Sequence, residues 1–348
     1  MVDLLYPGPH LAAALAQPDW IRYEPSPRGL PKARAAVLSD YTRRGVTLDD
    51  SQILLTASSS ESYALLFKLF ANPSTTVLIP EPSYPLFDHL TALEGLRTRA
   101  YQLDFDGRWH VDFSSLNFTD VAALILVSPN NPTGSYISGE DLQRLAKLAA
   151  EHHVPLIVDE VFADYPLYPP MDAVTAVAAR PLPCLTFSLG GLSKSCGLPQ
   201  LKLGWIAATG PGAEEAISNL EWIADTYLSV GGPVQHALPT LLTLGANIRS
   251  QIQERIRRNH ASLGWRLRSD APYTLLPCEA GWSIILRVPQ TLSDEEWAIK
   301  LLREDGVLVQ PGYFFELTLG TTLVLSLLPS PDRFDEGMTR LLARLDRG

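Results

Sequence analysis

Three cysteines, Cys184, Cys196 and Cys278, stand in 348 residues. They are too few and too widely spaced for a disulfide framework, and no two form a CxxC-type metal pair. Such usage suits a reducing compartment, so the expectation is a cytoplasmic protein. Charge is also sparse: 19% of residues are charged, and the formal net charge is -10. An acidic balance argues against a nucleic-acid or anionic-membrane surface, since both demand a basic patch. No apolar run is long enough for a membrane span. The opening MVDLLYPGPHLAAALAQPDW has neither the basic start nor the apolar stretch of a secretion signal. Both common Gly-rich phosphate signatures, GxGxxG and GxxxxGK followed by Ser or Thr, are missing, and there is no internal repeat.

Apolar residues make up 46% of the chain, ample for a core, and the length suggests about two domains. Short apolar runs alternate with helical patterns through the middle. QILLT (52–56), VLIP (77–80), ALILVS (123–128), PLIVDE (155–160), LTFSL (185–189) and LGWIAAT (203–209) read as strands. ESYALLFKLFA and DLQRLAKLAAEHH, among others, read as helices between them. Continuous apolar strands separated by amphipathic helices predict an α/β layer with a largely parallel sheet. From about Gly231 a long, increasingly charged helical stretch begins. It is followed by strand-like GWSIILRVP and LVLSLLP, a helix SDEEWAIKLLRED between them, and a final helix PDRFDEGMTRLLARL. This predicts a smaller α+β domain, made of residues 1–31 and 241–348, beside a large domain of 32–240. The proline-broken first thirty residues are expected to pack on that smaller domain or on a partner subunit.

In an open α/β sheet the ligand lies beyond the carboxyl ends of the strands. The strand ends here carry ASSSES, EPSY, PNNPTG, the Asp159 that ends its own strand, and GGLSK. These supply hydroxyls with free backbone N–H groups, a tyrosine, an asparagine, a carboxylate and a lysine. The mixture suits a phosphorylated aromatic aldehyde better than a dinucleotide. Each piece also has a plain alternative. SSSE before an apolar helix is a capping signal, and NNPTG is a turn by default. Lys194, in a Gly-rich loop, would be solvated in most proteins. Asp159 is harder to set aside, because an acid ending an apolar strand is costly to bury without a partner.

Taken in order, Tyr23, SSSE, PSYP, NNPTG, VDE and GLSKxxGLPxxKxG resemble the class I/II aminotransferases of pyridoxal-phosphate fold type I, over nearly the whole chain. The resemblance implies a role for each matching residue. Lys194 is the lysine that forms a Schiff base with pyridoxal 5'-phosphate, and Asp159 the carboxylate on the pyridinium nitrogen. Asn131 bonds the ring hydroxyl, and Tyr84 stacks on the ring. Ser58, Ser59 and Ser60 form the phosphate loop. Lys202 replaces a phosphate-binding arginine, as a point charge without the bidentate fork. Tyr23 reaches the phosphate of the neighbouring subunit, which implies a homodimer sharing its active sites.

Departures from the family pattern bear on the substrate. Phe162, in VDEVFADY, stands where many members have a tyrosine bonded to the ring hydroxyl, leaving Asn131 to act alone. The arginine for the substrate's α-carboxylate belongs two residues before a serine in the C-terminal strand; in LVLSLLP that position is Val324. Arg287, on the expected neighbouring strand, is the replacement candidate, expected to point into the cleft. Tyr313, with Phe314 and Phe315, is a candidate apolar wall. The leading segment is short for this family, with Gly8 a candidate for part of its work. The expected activity is transfer of an amino group from an amino acid or related donor to a 2-oxo acid. A lyase or decarboxylase of the same fold, and a non-catalytic cofactor-binding protein, are the alternatives.

Overall fold

The computed structural model describes residues 4–268 and 270–347. An eight-stranded sheet is built from β1 (Ile53–Thr56), β2 (Thr76–Glu81), β3 (Arg97–Phe105), β4 (Trp109–Val111), β5 (Val121–Val127), β6 (Leu156–Asp159), β7 (Thr186–Gly191) and β8 (Gly204–Thr209). Its spatial order is β1-β8-β7-β6-β5-β2-β3-β4. β8 runs against β7 and β1, and β4 runs against β3; the other pairings are parallel. The six strands expected from their apolar runs all form. β3 and β4 were not among them: RTRAYQLDF is too polar for a two-sided buried strand, and its only fully buried side chain is Tyr101.

Strands buried on both faces need cover on both. On one face Leu54, Ile79, Ile125, Ile157, Phe187 and Ile206 pack under the helices Ser59–Phe70 and Ala213–Tyr227. On the other, Leu78, Leu124, Leu126, Leu156 and Val158 pack under the helix Gly139–Glu151. That helix shows its apolar residues Leu142, Leu145, Ala146 and Ala149 at helical spacing, and Ser138 caps it by accepting from the Asp141 amide at 3.0 Å.

A second, antiparallel sheet holds β9 (Thr274–Leu275), β10 (Ser283–Arg287), β11 (Gln310–Pro311) and β12 (Thr322–Ser326), in the order β11-β12-β10-β9. β10 and β12 are the two expected strands, and the last helix, Pro331–Leu345, spans the expected segment. One helix of 35 residues, Gly232–Arg266, joins the two sheets. The expected break after residue 240 falls inside it. The proline-rich start does not fold alone: its helix Gly8–Leu15 lies on the long helix, and Leu4, Tyr6, Leu11 and Leu15 pack on the shared core. No described helix is long and apolar enough to cross a membrane.

Candidate active site

The register of the large sheet assembles the site. Asp159 pairs with Val127 on one side and Leu189 on the other, so β5 and β6 end level, and β7 runs two residues further, to Gly191. Thr56, Gly204 and Gly191 are likewise in register across β1, β8 and β7. The segments leaving these ends therefore meet around a cleft of about 380 Å³. Ser58, Ser59, Ser60, Tyr84, Asn131, Asp159, Lys194 and Lys202 all line it, together with Phe162 and Ser193. Gly204 makes the convergence possible, since a Cβ there would sit 3.0 Å from the Ser58 carbonyl carbon and 3.0 Å from the Gly190 oxygen.

The start of the helix Ser59–Phe70 forms part of the cleft lining. Ser58 is its N-cap and accepts from the Glu61 amide at 3.2 Å, so the capping reading of SSSE is realised at Ser58. Glu61 turns back to the Ala57 amide and accepts from the Ser229 hydroxyl at 2.8 Å. The amides of Ser59 and Ser60 lie in the first turn, where intrahelical acceptors do not exist. Helix dipole, free amides and hydroxyls make this an anion site. Lys202 adds a cation from a backbone in the left-handed region, φ +48°.

Asp159, which ends β6 and also lines the cleft, is partly buried. Tyr63 Oη donates to its Oδ2 and the Val161 amide to its Oδ1, each at 3.1 Å. Among the described residues no cation lies within ion-pair distance of it. Burial holds its carboxyl above the ordinary value, only partly offset by those donors and by the field of Lys194. The same burial raises the Tyr63 phenol, with the Asp159 charge adding to it.

Lys194 sits in a one-turn helix, Leu192–Ser195, just past β7. Its Nζ is 5.1 Å from the Trp282 ring centre and 5.7 Å from that of Phe162. Those two rings meet edge to face at 5.4 Å. Desolvation lowers the amine's pKa, against a smaller opposing pull from Asp159. Three side chains from different parts of the chain hold the backbone here. Tyr165 Oη donates to the Lys194 carbonyl, Arg249 to the Ser195 carbonyl at 3.1 Å, and Tyr6 Oη to the Gly197 carbonyl at 2.9 Å. Arg249 in turn faces Asp164 at 3.7 Å, which also pairs with Arg43. Cys196 is a packing residue: it is buried against Gly245 of the long helix, where a Cβ would come within 2.2 Å of its sulfur, and burial pushes its thiol up to about 11.

Three expected site residues lie elsewhere. Tyr23 is 81% exposed on the segment Trp20–Tyr23, outside this cleft in its own protomer. Arg287 pairs with Thr322 at the end of β10 and is exposed. It shares a strand face with Ile285, which is buried opposite Val324, but two residues further on the strand leaves the apolar cluster and the guanidinium meets solvent. The expectation that Arg287 points into the cleft is therefore corrected. Tyr313 and Phe314 are exposed in the turn Gly312–Phe315, which comes after the β11 edge strand, and only Phe315 turns into the core. So Tyr313 lies outside the cleft as well.

The residues that the sequence did not single out are Tyr63, Tyr165, Arg249, Trp282 and Ser193. Tyr63 alone carries a local signal: it lies four residues after Ser59, on the helix face toward the sheet, and so reaches Asp159.

The chain matches the model of the family "Aminotransferase class I and II" over residues 9–341. It belongs to that family. Among its relatives, the glutamate-pyruvate aminotransferase AlaA of Haemophilus influenzae is 28% identical over 90% of this chain and 80% of its own length. Nicotianamine aminotransferase 1 of Oryza sativa subsp. japonica is 26% identical over 87% of the chain, which spans only 64% of that relative's length. The S-alkyl-thiohydroximate lyase SUR1 of Arabidopsis thaliana is 27% identical over 83% of the chain and 65% of its own length. Of the solved structures, tyrosine aminotransferase from Leishmania infantum superposes with a TM-score of 0.86 at 22% identity, over 100% of this chain and 89% of that one. These likenesses make the architecture that of the fold type I aminotransferases.

The residues of this aminotransferase-family chain fit pyridoxal phosphate. A partly buried carboxylate with no cation within ion-pair distance among the described residues suits a protonated ring nitrogen, and an anion site lines the same cleft. The same cleft holds a desolvated amine and the half-exposed ring of Tyr84.

Proposed function

We propose that this protein is a pyridoxal-phosphate-dependent aminotransferase that moves an amino group from an amino acid or related amine to a 2-oxo acid. The observation that carries the reading is the pairing of shifted groups within one cleft. The Lys194 amine is held below its ordinary pKa, and the Asp159 carboxyl above its own. Pairs of titratable groups pushed off their usual values in a cleft are a mark of catalysis.

Asp159, Asn131 and Tyr84 would hold the cofactor's ring, and Ser58, Ser59, Ser60 and Lys202 its phosphate. When bound, the cofactor supplies an electron sink for the carbon that bears the substrate's amine. Lys194 Nζ is the proton carrier: its lowered pKa leaves more free amine near neutral pH, able to take a proton from that carbon and return it. The Phe162 and Trp282 rings keep water from this nitrogen, and Tyr165 and Arg249 fix the backbone that carries it. Tyr63 orients Asp159. Phe162 has no hydroxyl, so the ring hydroxyl falls to Asn131.

We further infer a cytoplasmic homodimer in which Tyr23 completes the partner's phosphate site. The exposure of Tyr23, together with that of Trp20 and Ile21 beside it, supports this. Residues 32–240 are the cofactor-bearing body, with 1–31 and 241–348 closing on it.

A screen of amino donors against the loaded enzyme tests the main reading. Transamination yields a keto acid and a change in the bound cofactor's absorption without release of ammonia. The second reading, a lyase, is favoured by Val324 and by the lyase among the relatives, and would release ammonia or a cleaved side group instead. Absence of any product with every donor tested overturns both.

A further inference from the structure

The side of the cleft toward the second sheet carries no counter-charge for an acid. Val324 is 2% exposed and packs with Trp109, Ile285, Phe315 and Leu317. The cluster is tied to the segment that carries Tyr84: the Ser83 amide donates to the Phe315 carbonyl at 3.1 Å, and Tyr84 is the next residue. Around the lysine the walls are the rings of Phe162 and Trp282. Among the described residues lining the cleft, the cations are Lys194 and Lys202, both assigned to the cofactor. Arg287 is exposed at its strand's end.

A carboxylate brought into such a place loses its hydration and gains no partner. It also enters a cleft that already holds the Asp159 carboxyl. What the wall does offer is neutral. Beside the lysine, the indole N–H of Trp282 is buried without a partner among the described residues. Neutral donors of this kind match a neutral acceptor, such as an amide or ester oxygen or a hydroxyl, at far lower desolvation cost than a carboxylate.

Resting on the aminotransferase reading, we infer that the amino donor lacks a free α-carboxylate: it is a primary amine whose amine-bearing carbon carries a neutral group. The cofactor end of the site is untouched by this, so loading and the lysine's chemistry proceed as in any member of the family. Only the third point of substrate recognition changes.

The experiment compares matched pairs: L-alanine with L-alaninamide, and L-phenylalanine with L-phenylalaninamide and 1-phenylpropan-2-amine. The first arm follows conversion of each by the loaded wild-type enzyme. The second measures binding of each to loaded Lys194→Ala protein by calorimetry, where no turnover occurs. The expected result is that the neutral compound of each pair is converted at least about tenfold faster in kcat/KM and bound about tenfold more tightly. Equal or better conversion and binding of the acids overturns the inference and leaves the aminotransferase reading standing. If neither class is converted, the aminotransferase reading falls, and the binding ratio still decides: a ratio at or below one overturns the inference. Val324→Met, which keeps the wall apolar, is expected to retain the preference for neutral compounds, and its loss in that variant likewise overturns the inference.

Discussion

At the ends of β6 and β7 a carboxylate and an amine lie partly buried in one cleft, whose lining also holds a helix N-terminus and Lys202. On β12, in the second sheet, the position expected to carry a charge holds a valine sealed among aromatic and aliphatic side chains. Both regions are well packed, so packing alone does not distinguish them. They differ in whether buried polarity is left without a balancing charge. A partly buried acid that no cation among the described residues pairs costs stability. It persists where a ligand completes it. Val324 and its neighbours have no such cost, and leave nothing for a charged ligand to complete.

The comparison can be broken most severely at Lys194. Lys194→Ala removes the proposed cofactor anchor and proton carrier, and activity is expected to fall by at least about 10⁴-fold with the fold intact by circular dichroism. Asp159→Asn comes next, with a loss of about 10²–10³-fold in activity, and it has a second readout. Burial raises the folded-state pKa above the ordinary 3.8, so the folded chain holds this proton more tightly than the unfolded one. Stability of the cofactor-free protein therefore falls as pH rises from about 3.8 through the raised value, and stays lower above it. Thermal melts should show Asp159→Asn gaining on wild type at neutral pH, with the gain shrinking as pH drops toward 4. A constant difference across pH would show that Asp159 is not held as an isolated charge.

Smaller effects sharpen the contrast. Lys202→Met should weaken cofactor binding by about ten- to a hundredfold, and Lys202→Arg should restore most of it; a fluorescence titration of the cofactor-free protein measures both. Tyr165→Phe removes the donor to the Lys194 carbonyl. It is expected to cost about 1 kcal/mol of stability and a severalfold drop in kcat. It should also shift the pH dependence of Lys194 acylation in the cofactor-free protein, a change that a purely structural role would not produce. Arg287→Gln should leave kcat/KM unchanged and stability within about 0.5 kcal/mol, as for other exposed positions. A raised KM for acids in that variant would return the guanidinium to the site.

Much of the cofactor end was legible because its residues cluster in short motifs at strand ends, where the chain must turn and side chains are free to face a ligand. The strands behind them were legible because two-sided burial leaves an unbroken apolar run. β3 escaped notice because it lies next to the short edge strand β4, where one-sided cover tolerates Arg97, Arg99 and Asp104. Tyr165, Arg249, Tyr6 and Trp282 converge on the Lys194 loop from positions 6 to 282. No local pattern encodes that meeting. Arg287 was misplaced because strand alternation names a face, not how far along that face the cleft extends.

The sequence by itself determined the parallel core, the family and the order of the residues that line the cleft, because periodicity and strand-end motifs are local properties of the chain. Only the tertiary structure decided which groups are desolvated and which are paired. The lowered Lys194, the raised Asp159 and the uncharged wall around Val324 all depend on what distant segments bring to within a few ångströms. Electrostatic free energy in a protein is set by that enclosure rather than by residue type.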